Sequence, residues 1–461
     1  MNYQLHTIGL GLMALSASAP NLYGAQDKNN TRPNIVLILA DDIGKECFGC
    51  YGGASYSTPC IDSLSKRGIR FENMHSMPLS TCTRVQLMTG LYNDRNYVNF
   101  GYMNDDENTF AHLAKKAGYA TAITGKWQLG TSRDMVGKLG FDEYCLSQLE
   151  IYKELVGERS TDRYAFSYLD NNGRYDFSYY GPDDVMRYAC NFIDRQVDAG
   201  KPFFLYYPTP LVHTPHVATP DSESWDQDLS TRFTSDTKHF PDMVAYLDKQ
   251  VGQIVDKLES KGIMDNTILI FLGDNGTTPK ITSKMKDGSE VQGGKGSPKC
   301  NGTAVPLVIS WGDKIKSGKV SDRLVDLIDF MPTLADAMGV DIPEEWNTEG
   351  ISLYPELCGE KPLEREYTLM HFNPLFPRRP WPQAARCAYS KEWKYYSDGR
   401  FYNYALDPEE QNPVDIKKCS KEVKDLYKRM KERVDQHPGF KPDEPGAPRR
   451  GKYRTFYDGN Y

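Results

Sequence analysis

Residues 34–42 read NIVLILADD, an unbroken apolar run closed by two aspartates. A run of that length without polar alternation predicts a strand buried on both faces, and such a strand needs helices on either side of its sheet. Four more runs of the same kind follow: YATAIT at 119–124, PFFLYY at 202–207, TILIFL at 267–272 and VPLVIS at 305–310. Helical patterns with definite ends lie between them. Thr58-Pro59 opens one that stops at Gly68, a second precedes Gly118, and MVAYLDKQVGQIVDKLESK (243–261) stops at Gly262. Proline at a helix start and glycine just past its end are the expected punctuation. The alternation predicts an α/β protein with a large mixed, mostly parallel sheet flanked by helices. After about Pro374 come short aromatic pieces (CAYS, KYYS, RFYNY), a turn at LDPEEQN and one helix, KEVKDLYKRMKERVDQ. These predict a main domain over 26–375 and a C-terminal α+β subdomain, with a small antiparallel sheet and a helix, over 376–461. The tail from Pro438 is expected to wrap the surface.

The 461 residues carry a net charge of −7 and no long basic run, which argues against nucleic acid as a partner. The first 25 residues differ from the rest. IGLGLMALSASA (8–19) is too short to span a bilayer and leads through small residues into a polar QDKNN, the layout of a signal peptide, although only His6 stands where a Lys or Arg is usual. No later segment is long and apolar enough for a membrane helix. The expectation is an exported protein, periplasmic or secreted, with no membrane insertion. Cys47 and Cys50 have the CxxC spacing, but no second pair at metal-ligand distance follows. Buried thiols, or one or two disulfides, are the expectation for the ten cysteines.

Open α/β sheets bind ligands at the carboxyl ends of their strands. Asp41-Asp42 follow the first run, Asp274-Asn275 the fourth, Lys126 the second, and His213 and His216 lie in the PTPLVHTPH after the third. Each alone has an ordinary explanation as a turn or a cap. Together they bring carboxylates, an amide, a lysine and histidines to one edge. Three carboxylates and an amide oxygen suit Ca²⁺ or Mg²⁺ better than zinc. A divalent cation among lysines and arginines makes a site for a phosphoryl or sulfuryl anion.

PLSTCTRVQLMTG (78–90) holds two possible nucleophiles, Ser80 and Cys82. With this stretch in view, the chain resembles the formylglycine-dependent sulfatases. ADDIGKECFGCYGG resembles their opening metal motif, and TGKWQLG, HTPH, GDNG and GGKG follow in the family's order. LYPELCGEKPLEREY and YNYALDPEEQNP resemble its C-terminal landmarks. The family signature places a Cys or Ser four residues before an Arg, with Thr-Gly ending the helix. Arg84 and Thr89-Gly90 set that register and select Ser80; Cys82 stands where Pro or Ala is usual. The resemblance implies an alkaline-phosphatase-like sandwich and a sulfatase acting on a sulfated carbohydrate.

It also implies that Ser80 is oxidised to formylglycine, whose hydrate attacks sulfur and later expels sulfate through its second hydroxyl. The Ser form implies an oxygen-independent radical maturase as a partner before export, in an anaerobic bacterium. By motif position, Asp41, Asp42, Asp274 and Asn275 would hold one metal ion, Ca²⁺ in most relatives. Arg84 would neutralise the diol and the sulfate, Lys126 and Lys295 would bind sulfate oxygens, and His213 would protonate the leaving oxygen. His216 would touch substrate or pack beside His213. Gln128 stands where the family commonly has a His, and an amide cannot take up that proton. It could still hydrogen-bond the diol or sulfate. His371, Arg378 and Arg379, in HFNPLFPRRPWPQ, would line the pocket mouth, the arginines meeting a second sulfate or a uronate or simply packing between domains. Two other readings remain open: a phosphatase or phosphodiesterase of the same superfamily that uses Ser80 directly, and a catalytically impaired glycan-binding homologue.

Overall fold

Every residue of strand β1 (Asn34–Ala40) is buried, and its side chains divide between two cores. Ile35, Leu37 and Leu39 enter one, with helices Ser80–Thr89, Phe110–Lys116 and Phe330–Met338. Val36, Ile38 and Ala40 enter the other, with helices Pro59–Lys66, Gly181–Asp198 and Phe240–Ser260. The period of two in a strand thus builds both layers of a helix–sheet–helix sandwich from one apolar run. The structure is a computed structural model that describes residues 32–437 and 439, apart from 131, 148, 150–162, 316–317 and 377–380. The expected signal peptide, the tail from Pro438 onward except residue 439, and Arg378 and Arg379 lie outside the described residues.

The strands that follow are β2 (Ile69–His75), β3 (Ala120–Lys126), β4 (Glu143–Ser147), β5 (Ala165–Asn171), β6 (Arg174–Tyr180), β7 (Phe203–Pro208) and β8 (Thr267–Gly273). After a two-stranded ribbon, β9 (Thr282–Lys284) and β10 (Glu290–Gln292), come β11 (Leu307–Ser310) and β12 (Lys319–Asp326). The ten-stranded sheet has the order β12-β2-β11-β8-β1-β7-β3-β4-β5-β6. β1 lies parallel between β8 and β7, and β3 parallel between β7 and β4, so four apolar strands end at one edge. β11 is antiparallel to β8 and β2, and the β5–β6 hairpin is antiparallel to β4. The sheet is therefore mixed and mostly parallel, and all five runs expected to be strands contribute to it.

β2 and β12 escaped the reading because IRFENMH and KVSDRLVD have no continuous apolar run. On β2, Arg70 and Glu72 face partly outward and pair at 2.6 Å while Phe71 is buried. The C-terminal sheet is β13 (Thr368–Phe372), β14 (Ala385–Tyr389), β15 (Trp393–Tyr396) and β16 (Phe401–Asn403), all antiparallel, with helix Lys421–Gln436 on one face. Its other face, including Met370, Cys387 and Tyr396, joins the main core. All ten cysteines are free, so the expected alternative of one or two disulfides is corrected in favour of thiols. Burial pushes the Cys82 thiol up to about 12, which makes it an inert core side chain.

A buried lysine ties this sheet to the loop that carries Lys295. Lys394 Nζ donates to Glu410 Oε1 at 2.7 Å and to the Pro298 carbonyl at 2.8 Å, three residues from Lys295. Both side chains are at most 3% exposed. Lys394→Met leaves the buried Glu410 without its counter-charge, with the Tyr396 hydroxyl still donating to it, and a loss of about 3–5 kcal/mol is expected. Urea unfolding checks it: the double variant Lys394→Met/Glu410→Gln should recover most of the loss.

Candidate active site

Ser80 is the first residue of helix Ser80–Thr89, which ends at Gly90 in the left-handed region, φ 67°. The helix start is stapled to the end of β8: Thr83 Oγ1 accepts from Met77 N (3.1 Å) and donates to the Asp274 carbonyl (2.6 Å). Asp42 also has a left-handed backbone, φ 61°, a conformation that Asp tolerates better than most residues. Its N–H donates to Asp274 Oδ1 at 2.9 Å, so the Asp274 side chain joins the carboxyl end of β8 to the backbone at the end of β1. Lys126, the last residue of β3, donates to Asp41 Oδ2 at 2.7 Å and to Ser80 Oγ at 3.2 Å. Arg84, one helical turn past Ser80, donates from Nε to Ser80 Oγ at 3.1 Å. Its remaining nitrogens donate to the Trp127 and Gln128 carbonyls, and Gln128 has a left-handed backbone, φ 45°. Lys295 Nζ donates to Asp42 Oδ2 at 2.7 Å, and Asn275 Nδ2 to Asp42 Oδ1 at 2.9 Å.

Asp41, Asp42, Ser80, Arg84, Lys126, Asp274 and Asn275 are each at most 3% exposed. Lys126 is therefore no surface lysine. Burial works against the Asp41 carboxylate, but Lys126 and Lys295 more than offset it and hold it below the ordinary carboxylate range. Asp274 goes the other way: burial, with Asp41 and Asp42 beside it, raises its carboxyl well above that range. Burial keeps the His213 ring neutral at ordinary pH despite Asp42, whose Oδ2 lies 3.7 Å from Nε2. His216 packs edge-on against Phe240 at 5.2 Å, and burial lowers it to about 4.

Two outcomes differ from the sequence reading. His371, on β13, lines a small cavity with Tyr92, Asp94, Arg386 and His437, none of which belongs to the Ser80 cluster. Arg163 was missed. It is 4% exposed, its Nη1 lies 2.8 Å from His213 Nδ1, and it donates to the Thr214 carbonyl at 2.5 Å. It belongs to no motif, and nothing in its neighbourhood of sequence marks it. Ten residues past His371, Trp381 Nε1 donates to the Gly296 carbonyl at 2.9 Å, beside Lys295.

The residues fit a hard divalent cation. Asp41 Oδ1 and Asn275 Oδ1 are buried acceptors with no hydrogen-bond partner, an expensive condition unless a cation satisfies them. Oxygens of Asp41 and Asp42 and a nitrogen of His213 lie within 4.8 Å of one another. An acidic, mostly oxygen donor set favours Ca²⁺ or Mg²⁺ over zinc.

A helix-flanked, mostly parallel sheet with acids, lysines and a helix-start serine at its carboxyl edge is the alkaline-phosphatase-like architecture of hydrolases that cleave anionic esters. The sulfatase family model matches residues 33–340, and the chain belongs to the sulfatase family, hydrolases of sulfuric esters. A second model, N-sulphoglucosamine sulphohydrolase, C-terminal, matches residues 301–437. The chain is 28% identical to N-acetylgalactosamine-6-sulfatase of Canis lupus familiaris, over 77% of this chain and 70% of that protein. It is 27% identical to N-acetylgalactosamine-6-O-sulfatase of Bacteroides thetaiotaomicron, over 77% and 82%. The crystal structure of Ps i-CgsB in complex with k-i-k-neocarrahexaose is similar at a TM-score of 0.71 and 28% identity, covering 88% of this chain and 92% of that one.

Proposed function

We propose that this sulfatase removes sulfate from a sulfated glycan, using a formylglycine made from Ser80 and one Ca²⁺ held by Asp41, Asp42, Asp274 and Asn275. The observation that carries the reading is the convergence of Lys126 and Arg84 on Ser80 Oγ, at 3.2 and 3.1 Å, beside the three buried carboxylates. Two fixed cations and a helix start favour an anion at that atom. The glycan is supported by the relatives, whose names specify N-acetylgalactosamine sulfate and a neocarrahexaose complex.

The cation, when bound, would supply Lewis-acid polarisation of a sulfate oxygen. Formylglycine would supply a hydrate in place of the weakly nucleophilic serine hydroxyl. Arg84 would hold the nucleophilic oxygen, and Lys126 and Lys295 the sulfate oxygens. His213 Nε2 faces the acidic cluster and would carry the proton to the leaving oxygen; a bound sulfate ester offsets the Lys295 charge that helps keep this ring neutral. Gln128 would hydrogen-bond the nucleophile without acting as a base. His216 is proposed to support the His213 loop and the substrate, and Arg378 and Arg379, which precede Trp381, to meet a second anionic group. His371, in the separate cavity with Tyr92 and Asp94, would take no part in the reaction. Conversion of Ser80 by a radical maturase before export to the periplasm or beyond completes the proposal. Among the described residues no helix is long and apolar enough to cross a membrane.

The test is a peptide mass spectrum over Ser80 after co-expression with an anaerobic radical maturase, followed by sulfate release from a panel of sulfated sugars. Loss of two hydrogens at Ser80 with sulfate release supports the reading; unmodified Ser80 beside a converted control sulfatase overturns it. His213→Ala is expected to slow an alkyl sulfate ester about 10²–10³-fold but an activated aryl sulfate about tenfold or less, because a good leaving group needs no proton. Steady-state kinetics on the two ester types decide it.

A further inference from the structure

The β5–β6 hairpin at the edge of the large sheet turns an aromatic face outward. Tyr168 lies opposite Phe177, and Ser167 opposite Ser178. The serines are buried on the inner face, whereas Phe177 is 48% and Tyr179 72% exposed on the outer one. The rings form one cluster. Phe177 is 5.1 Å from Tyr179 and 5.4 Å from Tyr168, and Phe166 is 6.1 Å from Phe177, 6.0 Å from Tyr179 and 5.4 Å from Phe233. Phe166 takes a left-handed backbone, φ 53°, which a bulky side chain adopts only against strain. A half-buried ring held against strain beside two exposed ones costs stability without filling a core, and a contiguous exposed apolar patch marks a binding surface.

The hairpin that bears the patch is tied to the candidate active site. β4 runs parallel to β3 toward the edge that carries Lys126, and β5 returns antiparallel, so the start of β5 and the end of β6 lie toward that edge. Arg163, two residues before β5, contacts His213, and the Tyr164 hydroxyl lies 2.7 Å from the Pro210 carbonyl and 2.6 Å from that of His213. Phe233 stands on the loop whose Asp236 N–H donates to the His216 carbonyl at 2.9 Å.

We propose that Phe166, Tyr168, Phe177, Tyr179 and Phe233 form a saccharide platform on which pyranose rings of a glycan stack while one sulfated residue occupies the Ser80 site. The negative faces of aromatic rings attract the polarised C–H faces of sugars, and the two phenol hydroxyls can meet sugar hydroxyls at the rim. Aromatic rings also anchor protein interfaces. The glycan is favoured as occupant because the hairpin that bears the rings is tied through Arg163 and Tyr164 to the His213 loop of the sulfate site. The platform deepens the sulfated-glycan reading and rests on it for the identity of the ligand.

The test uses Ser80→Ala protein, which cannot be matured, in affinity electrophoresis through gels holding carrageenan, chondroitin sulfate or heparin. Retardation in at least one gel is expected. Phe177→Ala/Tyr179→Ala should weaken apparent binding about tenfold, and Tyr179→Trp, which keeps a ring, should retain it. In matured protein the same double variant should leave hydrolysis of 4-methylumbelliferyl sulfate within about twofold of wild type. Equal retardation of all variants, no retardation in any gel, or a dimer dissolved by the double variant with retardation unchanged would each overturn the platform. If matured wild type releases no sulfate from either kind of substrate but the double variant still loses retardation, the catalytic reading fails and the platform stands.

Discussion

Ser80→Ala is expected to abolish sulfate release, by about 10⁴-fold or more, while leaving the fold intact. Removal of a covalent nucleophile typically costs that much or more. Here the alanine also denies Lys126 and Arg84 the oxygen on which they converge at 3.2 and 3.1 Å. The residue opens its helix without a side-chain cap, so the fold should hold, at a cost of about 1–3 kcal/mol for the two buried donors left short of an acceptor. Cys82→Ala provides the contrast. Its thiol is buried and raised to about 12, and the variant should keep turnover close to wild type. Sulfate release under single-turnover conditions, with circular dichroism on each variant, checks both. Near-normal activity in Ser80→Ala would exclude formylglycine chemistry at this position.

The second large effect concerns the cation. Extensive chelation, or Asp41→Ala, is expected to lower turnover about 10³-fold, because a metal acting as Lewis acid contributes several kcal/mol at the transition state. Asp41→Ala carries a further penalty that chelation does not. Lys126 and Asp41 are both 2% exposed and 2.7 Å apart, and removing the acid leaves a buried ammonium without its closest counter-charge. A stability loss of about 3–5 kcal/mol is therefore expected in the variant alone. Added Ca²⁺ should raise the melting midpoint of chelated wild type, since a ligand that binds only the folded state stabilises it. The same addition should leave Asp41→Ala unmoved. Equal calcium-induced shifts in both proteins would exclude Asp41 as a ligand.

Much of the frame was legible because it is encoded locally. NIVLIL carries its burial on both faces in its own composition, and the helices ending near Gly118 and Gly262 announce their ends by a glycine in a left-handed backbone, φ 79° and 65°, while Gly68 lies where a side chain would strike the Ile309 carbonyl. The register of Ser80 against Arg84 is likewise a matter of one helical turn, four residues apart, and the two side chains meet as that spacing requires. The aspartates after β1 and the Asp-Asn after β8 stand at strand ends whatever the order of the strands. β2 and β12 were not legible, since their half-exposed positions hold charges that break the apolar run.

What tertiary structure alone decided is which of these local ends become neighbours. β8 flanks β1 on one side and β7 separates β1 from β3 on the other, an order that brings Asp274 to Asp42 across 232 residues and Lys126 to Asp41 across 85. The same packing put Arg163 against His213, placed His371 in a different cavity, and turned the rings of the β5–β6 hairpin outward toward solvent. The physical reason is one of range. Periodicity, capping and turn chemistry act over a few residues and can be read from them, whereas ion pairing and desolvation depend on the sheet order that buries the whole chain best, and no single segment contains that order.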